Sequence, residues 1–201
     1  MSSEMLKIEY FNGITTSDLI KNSLEGHRVD AIHQFRAVKN FSFIRTVLNS
    51  EGGVMPIRIV FDMRMLPKDE EKRWTVVVTR DFSSPIDRIV VAGSPQNMGY
   101  TYGYGYKSKS SYVHPRYRGL GLMTLMRVVM MKVLDIHYEQ GCELIGYLPE
   151  YTAYLQGSCW MACALLSAAV KMGRKLYYND REIGKKDILP ETFQIGEYVI
   201  R

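Results

Sequence analysis

A short turn between a predicted strand and a predicted helix carries residue types that bind phosphate groups. It reads Val113-His114-Pro115-Arg116-Tyr117-Arg118-Gly119-Leu120-Gly121, so that one arginine is followed at fixed spacing by two glycines. Glycine lets the main chain approach a ligand without a Cβ clash, and the N–H groups of a helix's first turn attract anions. The spacing predicts a phosphate cradle; a plain turn ahead of a helix is the alternative.

The segment after this turn has the pattern of an amphipathic helix over residues 122–140. Its apolar residues recur at helical spacing, at Leu122, Met126, Val129, Val133 and Ile136. Gly141 stands where a helix commonly ends. We expect Arg127 and Lys132 on the outer, solvated face of this helix.

Length and composition indicate one globular domain. The chain has 201 residues, of which 46% are hydrophobic and 23% charged, values that are ordinary for a folded protein. The net charge of +5 suits an anionic ligand but does not establish nucleic-acid binding. Three cysteines argue against a disulfide scaffold and for a reducing compartment. Cys159 and Cys163 are interpreted as packing thiols, and no metal site is predicted.

No targeting or membrane segment is predicted. Residues 1–4 show neither the basic nor the apolar region of a signal peptide. The twenty residues from Tyr151 to Val170 carry no charge and are long enough to span a bilayer. Their first half is polar, however, which favours a buried core helix. The expected location is therefore cytoplasmic.

The hydrophobic patterning predicts an α/β protein with a mixed, mainly antiparallel central sheet and helices on both faces. A single domain is expected over 1–201, with an extra β-hairpin near 54–80. A helical stretch capped by Asp30 is expected to place Phe41, Ile44 and Leu48 in the core. The predicted strands cover residues 6–11, 57–65, 74–80, 88–92, 110–114, 143–148, 175–179 and 193–200. The predicted helices are 15–24, the stretch capped by Asp30, 122–140 and one ending near 172–173.

Tyrosines alternate with other residues over 99–106. As a strand they would form one aromatic face, and as a loop they would form a lid. Glycines between the tyrosines favour a loop packed on its own domain, while stacking on nucleic-acid bases is the less favoured alternative.

The glycine turn resembles motif A of the GNAT superfamily of N-acetyltransferases, whose signature is (Q/R)-x-x-G-x-(G/A). Arg116, Gly119 and Gly121 occupy the signature positions, and Val113-His114-Pro115 matches the V-x-P that commonly precedes them. The resemblance extends to the element order from residue 6 to 200. It implies a GNAT-like acyl-CoA N-acyltransferase fold.

The same resemblance implies acetyl-CoA, or another acyl-CoA, as the ligand. Backbone groups of Ser111 and Val113 would pair with the pantetheine arm and the acyl carbonyl. The pyrophosphate would be held by the side chains of Arg116 and Arg118 and by the main-chain N–H groups of Arg118, Gly119, Leu120, Gly121 and Leu122. The implied reaction transfers the acyl group to an amine of unknown identity.

Two catalytic features of the family are missing from this sequence. The family's base is often a carboxylate near the strand that enters motif A, yet residues 88–134 hold no Asp or Glu against seven Lys or Arg. Its usual acid is a tyrosine in an N-x-x-A-x-x-F-Y-E-K-x-G pattern. Placing Val170-Lys171-Met172-Gly173 on E-K-x-G puts Ala169 at the tyrosine and Ala162 at the asparagine.

Substitute catalytic residues are nominated on position alone. Glu150 follows a predicted strand and would act as a base, although a solvated carboxylate is the competing interpretation. Tyr154 or Tyr177 would act as the acid, against the packing role that most tyrosines have. His114 lies beside the turn and would act as a base, against the alternative that its side chain points away from the acyl group.

Three functions stay open at this point. The first is a GNAT-like acyltransferase, and the second is a catalytically degenerate GNAT-fold protein that serves a larger assembly, such as a viral particle, through protein partners. The third, nucleic-acid binding, is the least favoured, because a solvated helix face explains Arg127 and Lys132 equally well.

Overall fold

The described part of the chain is built on one β-sheet of nine strands. The computed structural model describes residues 40–48, 52–65, 72–105, 107–138, 144–148, 155–188 and 196–201. Within these ranges two long helices, α1 (Leu122–Tyr138) and α2 (Leu155–Lys171), accompany one sheet. The strands are β1 (Asn40–Leu48), β2 (Val54–Met65), β3 (Lys72–Thr79), β4 (Asn97–Tyr104), β5 (Lys107–Val113), β6 (Leu144–Leu148), β7 (Leu176–Tyr178), β8 (Arg181–Glu182) and β9 (Gly196–Ile200).

The sheet is mixed and mainly antiparallel, which confirms the predicted fold class at that level. Its strand order is β1-β2-β3-β4-β5-β6-β9-β7-β8. Strands β5 and β6 run parallel, and the other described neighbours run antiparallel. A parallel pair needs a crossover connection, and α1 lies in the chain between these two strands.

Different elements pack against the two faces of the sheet. Alternate residues of β2 and β3, such as Phe61 and Trp74, join α1 and α2 in one large apolar cluster. Residues of opposite parity, Val60 and Val77, pack against Ile89 in a short π-helix over Arg88–Ala92. Burial of the first cluster holds both long helices on one face, because each contributes an apolar stripe to it.

Two sequence predictions are wrong in this part of the fold. Residues 40–48, expected as part of a helix, form β1 and pair with β2. Ile44 is 60% exposed there rather than in the core. Residues 88–92, expected as a strand, form the π-helix. The predicted elements at 6–11 and 15–24 lie outside the described residues, as does residue 30–39 of the expected second helix.

The tyrosine-rich segment forms a strand, so the favoured loop interpretation is also wrong. Tyr100 and Tyr102 lie 6.5 Å apart between ring centroids, and Tyr100 and Tyr112 of β5 lie 5.8 Å apart. The intervening Gly99 and Gly103 are buried, and a Cβ at Gly99 would come within 3.3 Å of the Met126 side chain. Small residues are required here because α1 and neighbouring strands approach β4 closely.

A buried carboxylate organises the connection between β3 and β4. The Asp81 side chain accepts hydrogen bonds from the main-chain N–H of Ser84 at 2.9 Å and from the Ser94 hydroxyl at 3.0 Å. These bonds, with further ones from Ser83, hold the pKa of the Asp81 carboxyl well below its usual range, and the bond from Ser84 contributes most. Ionised Asp81 therefore stabilises the folded chain.

We expect this contribution to depend on pH. The lowered folded-state pKa means that Asp81 stabilises the fold above its ordinary unfolded pKa of about 4 and loses this effect as the pH falls below it. Asp81→Asn should lower the melting temperature at pH 7, and the gap to wild type should shrink between about pH 5 and pH 3. Melting curves across this range test it, with exposed Asp180→Asn as the control. A gap that stays constant with pH would contradict the assignment.

Candidate functional site

The glycine turn has a backbone that requires glycine at both signature positions. After β5 the chain forms a short 3-10 helix over Pro115–Tyr117. Arg118 is extended, with φ −66° and ψ 154°, and Gly119 follows at φ 76°. Gly121 has φ 74°. Positive φ costs other residues roughly 1–2 kcal/mol, so the two glycines determine the path of the turn.

The turn presents several main-chain donors at the start of α1. The Gly121 carbonyl accepts the Leu125 N–H at 3.0 Å, so the helix's hydrogen-bond ladder begins there. Among the described residues, the N–H groups of Leu120, Gly121 and Leu122 meet no protein acceptor. The Arg118 N–H differs from the expectation, because it donates to the Pro115 carbonyl at 3.2 Å. The remaining donors and the helix dipole make this turn suitable for an anion.

Strand β5 has an open edge just before the turn. It pairs with β6 only through Lys107 and Ser108 in the described residues. The His114 N–H donates to the Met98 carbonyl at 2.8 Å, which fixes the phase of pairing with β4. Because paired and unpaired residues alternate along an antiparallel ladder, the main-chain groups of Ser111 and Val113 point away from β4, toward the open edge.

The two arginines of the turn are both exposed, but their surroundings differ. Arg118 folds back, and its Nε donates to the Val113 carbonyl at 3.2 Å. That contact places one cation beside the open edge of β5. The Arg116 side chain extends from the 3-10 helix and is available to an anion at the turn.

Arg127 was missed as a site residue, and its predicted position on a solvated face is wrong. Its side chain is 3% exposed and reaches β5, where it donates to the hydroxyls of Ser108 and Ser111. Burial lowers the pKa of Arg127 to about 10, so the group keeps its charge at neutral pH. A signal was present in the sequence, because a helix that is apolar nearly all round leaves no solvated face.

The nominated catalytic residues are brought together only in part. His114 lies at the turn, where its Nδ1 accepts the Arg116 N–H at 3.3 Å. In the neutral ring Nε2 then carries the hydrogen, so the nitrogen that could take a proton is Nδ1, which already has the Arg116 N–H as its partner. Tyr177 lies on β7, separated from β6 by β9, and its ring faces the Arg201 guanidinium at 5.2 Å. Glu150 and Tyr154 lie outside the described residues. Their roles stay predictions.

The two positions aligned with the family's catalytic asparagine and tyrosine carry no catalytic group. Ala162 and Ala169 are fully buried in α2 and belong to the main apolar cluster. The helix ends as expected, with Gly173 at φ 67° and the Arg174 N–H bonded to the Ala169 carbonyl at 2.8 Å. Neither alanine side chain can donate or accept a proton, so an acid at these positions is excluded by residue type.

The aromatic face of β4 and β5 is partly exposed. Tyr100 and Tyr112 are exposed, and the Arg73 guanidinium lies 4.9 Å from the centroid of the Tyr102 ring. Lys107 and Lys109 are exposed on β5. This is the surface that the nucleic-acid hypothesis needs, and that hypothesis stays a prediction.

Helix α2 contains Cys163 and most of the uncharged segment 151–170. Cys163 is half-buried against the apolar cluster, and burial raises the pKa of its thiol. In the described ranges no group of His, Cys, Asp or Glu is arranged to hold a metal ion. None of the helices described is both long and apolar enough to cross a membrane.

Comparisons with known proteins give no relative. No family model, no curated protein and no solved structure matches this chain. A function for this chain is therefore inferred from the geometry of the turn, the open edge and the residues around them.

Proposed function

We propose that the glycine turn and the open edge of β5 bind an acyl-coenzyme A, and that the protein transfers its acyl group to an amine. The observation that carries this proposal is the succession of the two features along the chain. Main-chain groups of Ser111 and Val113 have no strand partner on this side among the described residues, and they are followed along the chain by the N–H groups of residues 120–122, which meet no acceptor there.

The two features match two chemically different parts of this ligand. The turn offers N–H donors, a helix dipole and two exposed arginines to a pyrophosphate. The open edge offers alternating N–H and C=O groups to the amides of the pantetheine arm, as a strand edge does to an added peptide. The Val113 carbonyl already accepts from Arg118, and a carbonyl has room for a second donor.

The order of strand β5, glycine turn, helix α1 and parallel strand β6 supports a GNAT-like fold as part of the same proposal. Among the described residues β5 and β6 pair at two positions only, which leaves an opening between these residues next to the turn. A linear ligand that crosses the sheet at this opening would lie beside both binding features.

The proposed reaction is a direct acyl transfer. The amine nitrogen attacks the thioester carbonyl carbon, a C–N bond forms, the C–S bond breaks and the thiol leaves with the proton that the amine gives up. A main-chain N–H on the edge of β5 would stabilise the oxyanion that develops. Among the described residues His114 is the nominated base, and it could take the proton only on Nδ1, in exchange for its bond from the Arg116 N–H. Glu150 is the other nominated base, and Tyr154 is the nominated acid.

A second candidate function is acyl-CoA binding without transfer, in a protein that acts as a component of a larger assembly. The observation that favours it is the lack of any Asp or Glu between residues 88 and 134, a stretch that covers β4, β5, the turn and most of α1. Without a carboxylate there, deprotonation of an ammonium depends on His114 or on a residue from elsewhere in the chain.

Isothermal titration of the purified chain with acetyl-CoA and CoA tests the binding proposal. We expect a dissociation constant in the micromolar range for both ligands. Absence of binding at millimolar ligand would overturn the proposal. Release of free thiol from acetyl-CoA in the presence of a panel of amines then separates the two candidates, since only the transferase produces it.

A further inference from the structure

The Arg127 guanidinium is a buried cation whose described surroundings contain no carboxylate. Its polar contacts are the Ser108 hydroxyl, the Ser111 hydroxyl at 2.6 Å and the Met161 sulfur at 3.9 Å, and its Nε–H has no partner. Hydroxyls and a thioether bring no negative charge. Buried charges in proteins are normally paired, so within the described residues this guanidinium lacks a counter-ion.

The position of this cation is defined by an irregularity in β5. Pairing with β4 shifts between Ser108 and Ser110, so Lys109 is an extra residue and the strand's alternation is interrupted. As a result the Ser108 and Ser111 side chains both face α1 and both reach Arg127. The guanidinium thus contacts both β5 and Met161 of α2. It lies near Ser108, the last described residue of β5 that pairs with β6.

The same serine connects the cation to the ligand edge. Ser111 offers its main-chain groups to the open edge and its hydroxyl to Arg127 and to the Thr101 hydroxyl, which lies 2.7 Å away. Ser111 is therefore the residue through which a ligand held at this edge and the Arg127 guanidinium would be neighbours.

We propose that the acyl group taken by this site carries a terminal carboxylate, and that Arg127 binds that carboxylate. The inference rests on the proposed acyl-CoA function and specifies its substrate class as dicarboxylic acid monothioesters rather than acetyl or other uncharged acyl groups. The unused Nε–H supplies a charge-assisted donor, and the serine hydroxyls can turn their protons toward the new acceptor. Uncharged acyl chains would leave the cation unpaired.

Two thioesters of equal carbon count test this substrate class. Succinyl-CoA and butyryl-CoA both carry four-carbon acyl chains, and only the first ends in a carboxylate. Titration calorimetry on the full chain should show succinyl-CoA binding about tenfold or more tightly than butyryl-CoA, as one hydrogen bond between charged groups implies. Equal affinities, or tighter binding of butyryl-CoA, would overturn the inference and leave the proposed function standing.

Variants assign the preference to Arg127. In Arg127→Met the preference for succinyl-CoA over butyryl-CoA should disappear, since methionine fills a similar volume without charge. Exposed Arg88 lies on the π-helix, and Arg88→Met should keep the full preference. Retention of the preference in Arg127→Met would overturn the role of Arg127. If that variant does not fold, Arg127→Gln provides the same comparison, because glutamine also removes the charge while it keeps hydrogen-bonding groups near the two serines, and the preference should again disappear.

The binding results also distinguish failure of this inference from failure of the proposed acyl-CoA function. Binding of CoA and acetyl-CoA without any preference for succinyl-CoA rejects only the substrate class. Failure of CoA and all three thioesters to bind rejects the acyl-CoA site itself, and the inference with it.

Discussion

Gly119→Glu is expected to weaken the binding of acetyl-CoA and CoA by at least about a hundredfold. The change places a carboxylate in the turn that offers N–H donors to the pyrophosphate, and like charges at a binding site cost several kcal/mol. The space at Gly119 is open, since no atom lies within 4 Å of a Cβ built there. The loss of binding should therefore come from charge rather than from a clash. Titration calorimetry of the variant measures it.

Gly173→Glu is the matched control. Gly173 also has a positive φ, of 67°, and open space around its Cβ position, and it follows α2 rather than the turn. Both variants lose roughly 1–2 kcal/mol of stability through backbone strain, which melting curves will show. Normal binding by Gly119→Glu, or equal loss of binding in both variants, would show that the turn is not the pyrophosphate site.

Gly103→Ala is expected to destabilise the fold by about 3 kcal/mol or more, at the upper end for overpacking of a core. A methyl group at this buried position would clash with the Lys107 carbonyl oxygen and the Trp74 ring. Trp74 is fully buried, and its Nε1 donates to the Gly105 carbonyl at 2.9 Å. Neither neighbour can move without breaking this bond or the pairing of β4 with β5. Urea denaturation measures the change in free energy of unfolding.

Gly184→Ala provides the comparison, because its added methyl group would meet only an ordinary contact at 3.4 Å from the Asp187 carboxylate. Its free energy of unfolding should change by less than about 0.5 kcal/mol, as for most surface substitutions. Equal denaturation midpoints for the two variants would mean that β4 is not packed as described.

Local patterns in the sequence predicted the elements around the site. The alternation in 57–65 and 74–80 predicted β2 and β3, and the apolar stripe after Gly121 predicted α1. Gly173 predicted an end of α2 near 172–173, and the helix ends at Lys171. These features depend on periodicity and on backbone preferences within a few residues, and both can be recognised in a single sequence.

Predictions failed where distant contacts decide the conformation. Residues 40–48 have apolar positions compatible with a helix, but pairing with β2 makes them a strand. The glycines among the tyrosines of β4 suggested a loop, whereas the approach of α1 and the Trp74 ring requires small residues at those positions of a strand. Local propensity is overridden in both cases by packing across the sheet.

The sequence by itself determined the glycine turn, since two residues with positive φ and a following helix need only local chemistry. The tertiary structure alone decided where β5 parts from β6, because that opening depends on pairing between residues more than thirty positions apart. It also placed Arg127, whose burial against Ser108 and Ser111 depends on an irregularity in β5 and on the cover given by α2. The apolar residues around α1 were a sequence signal that Arg127 has no solvated face, but its partners became known only from the packing.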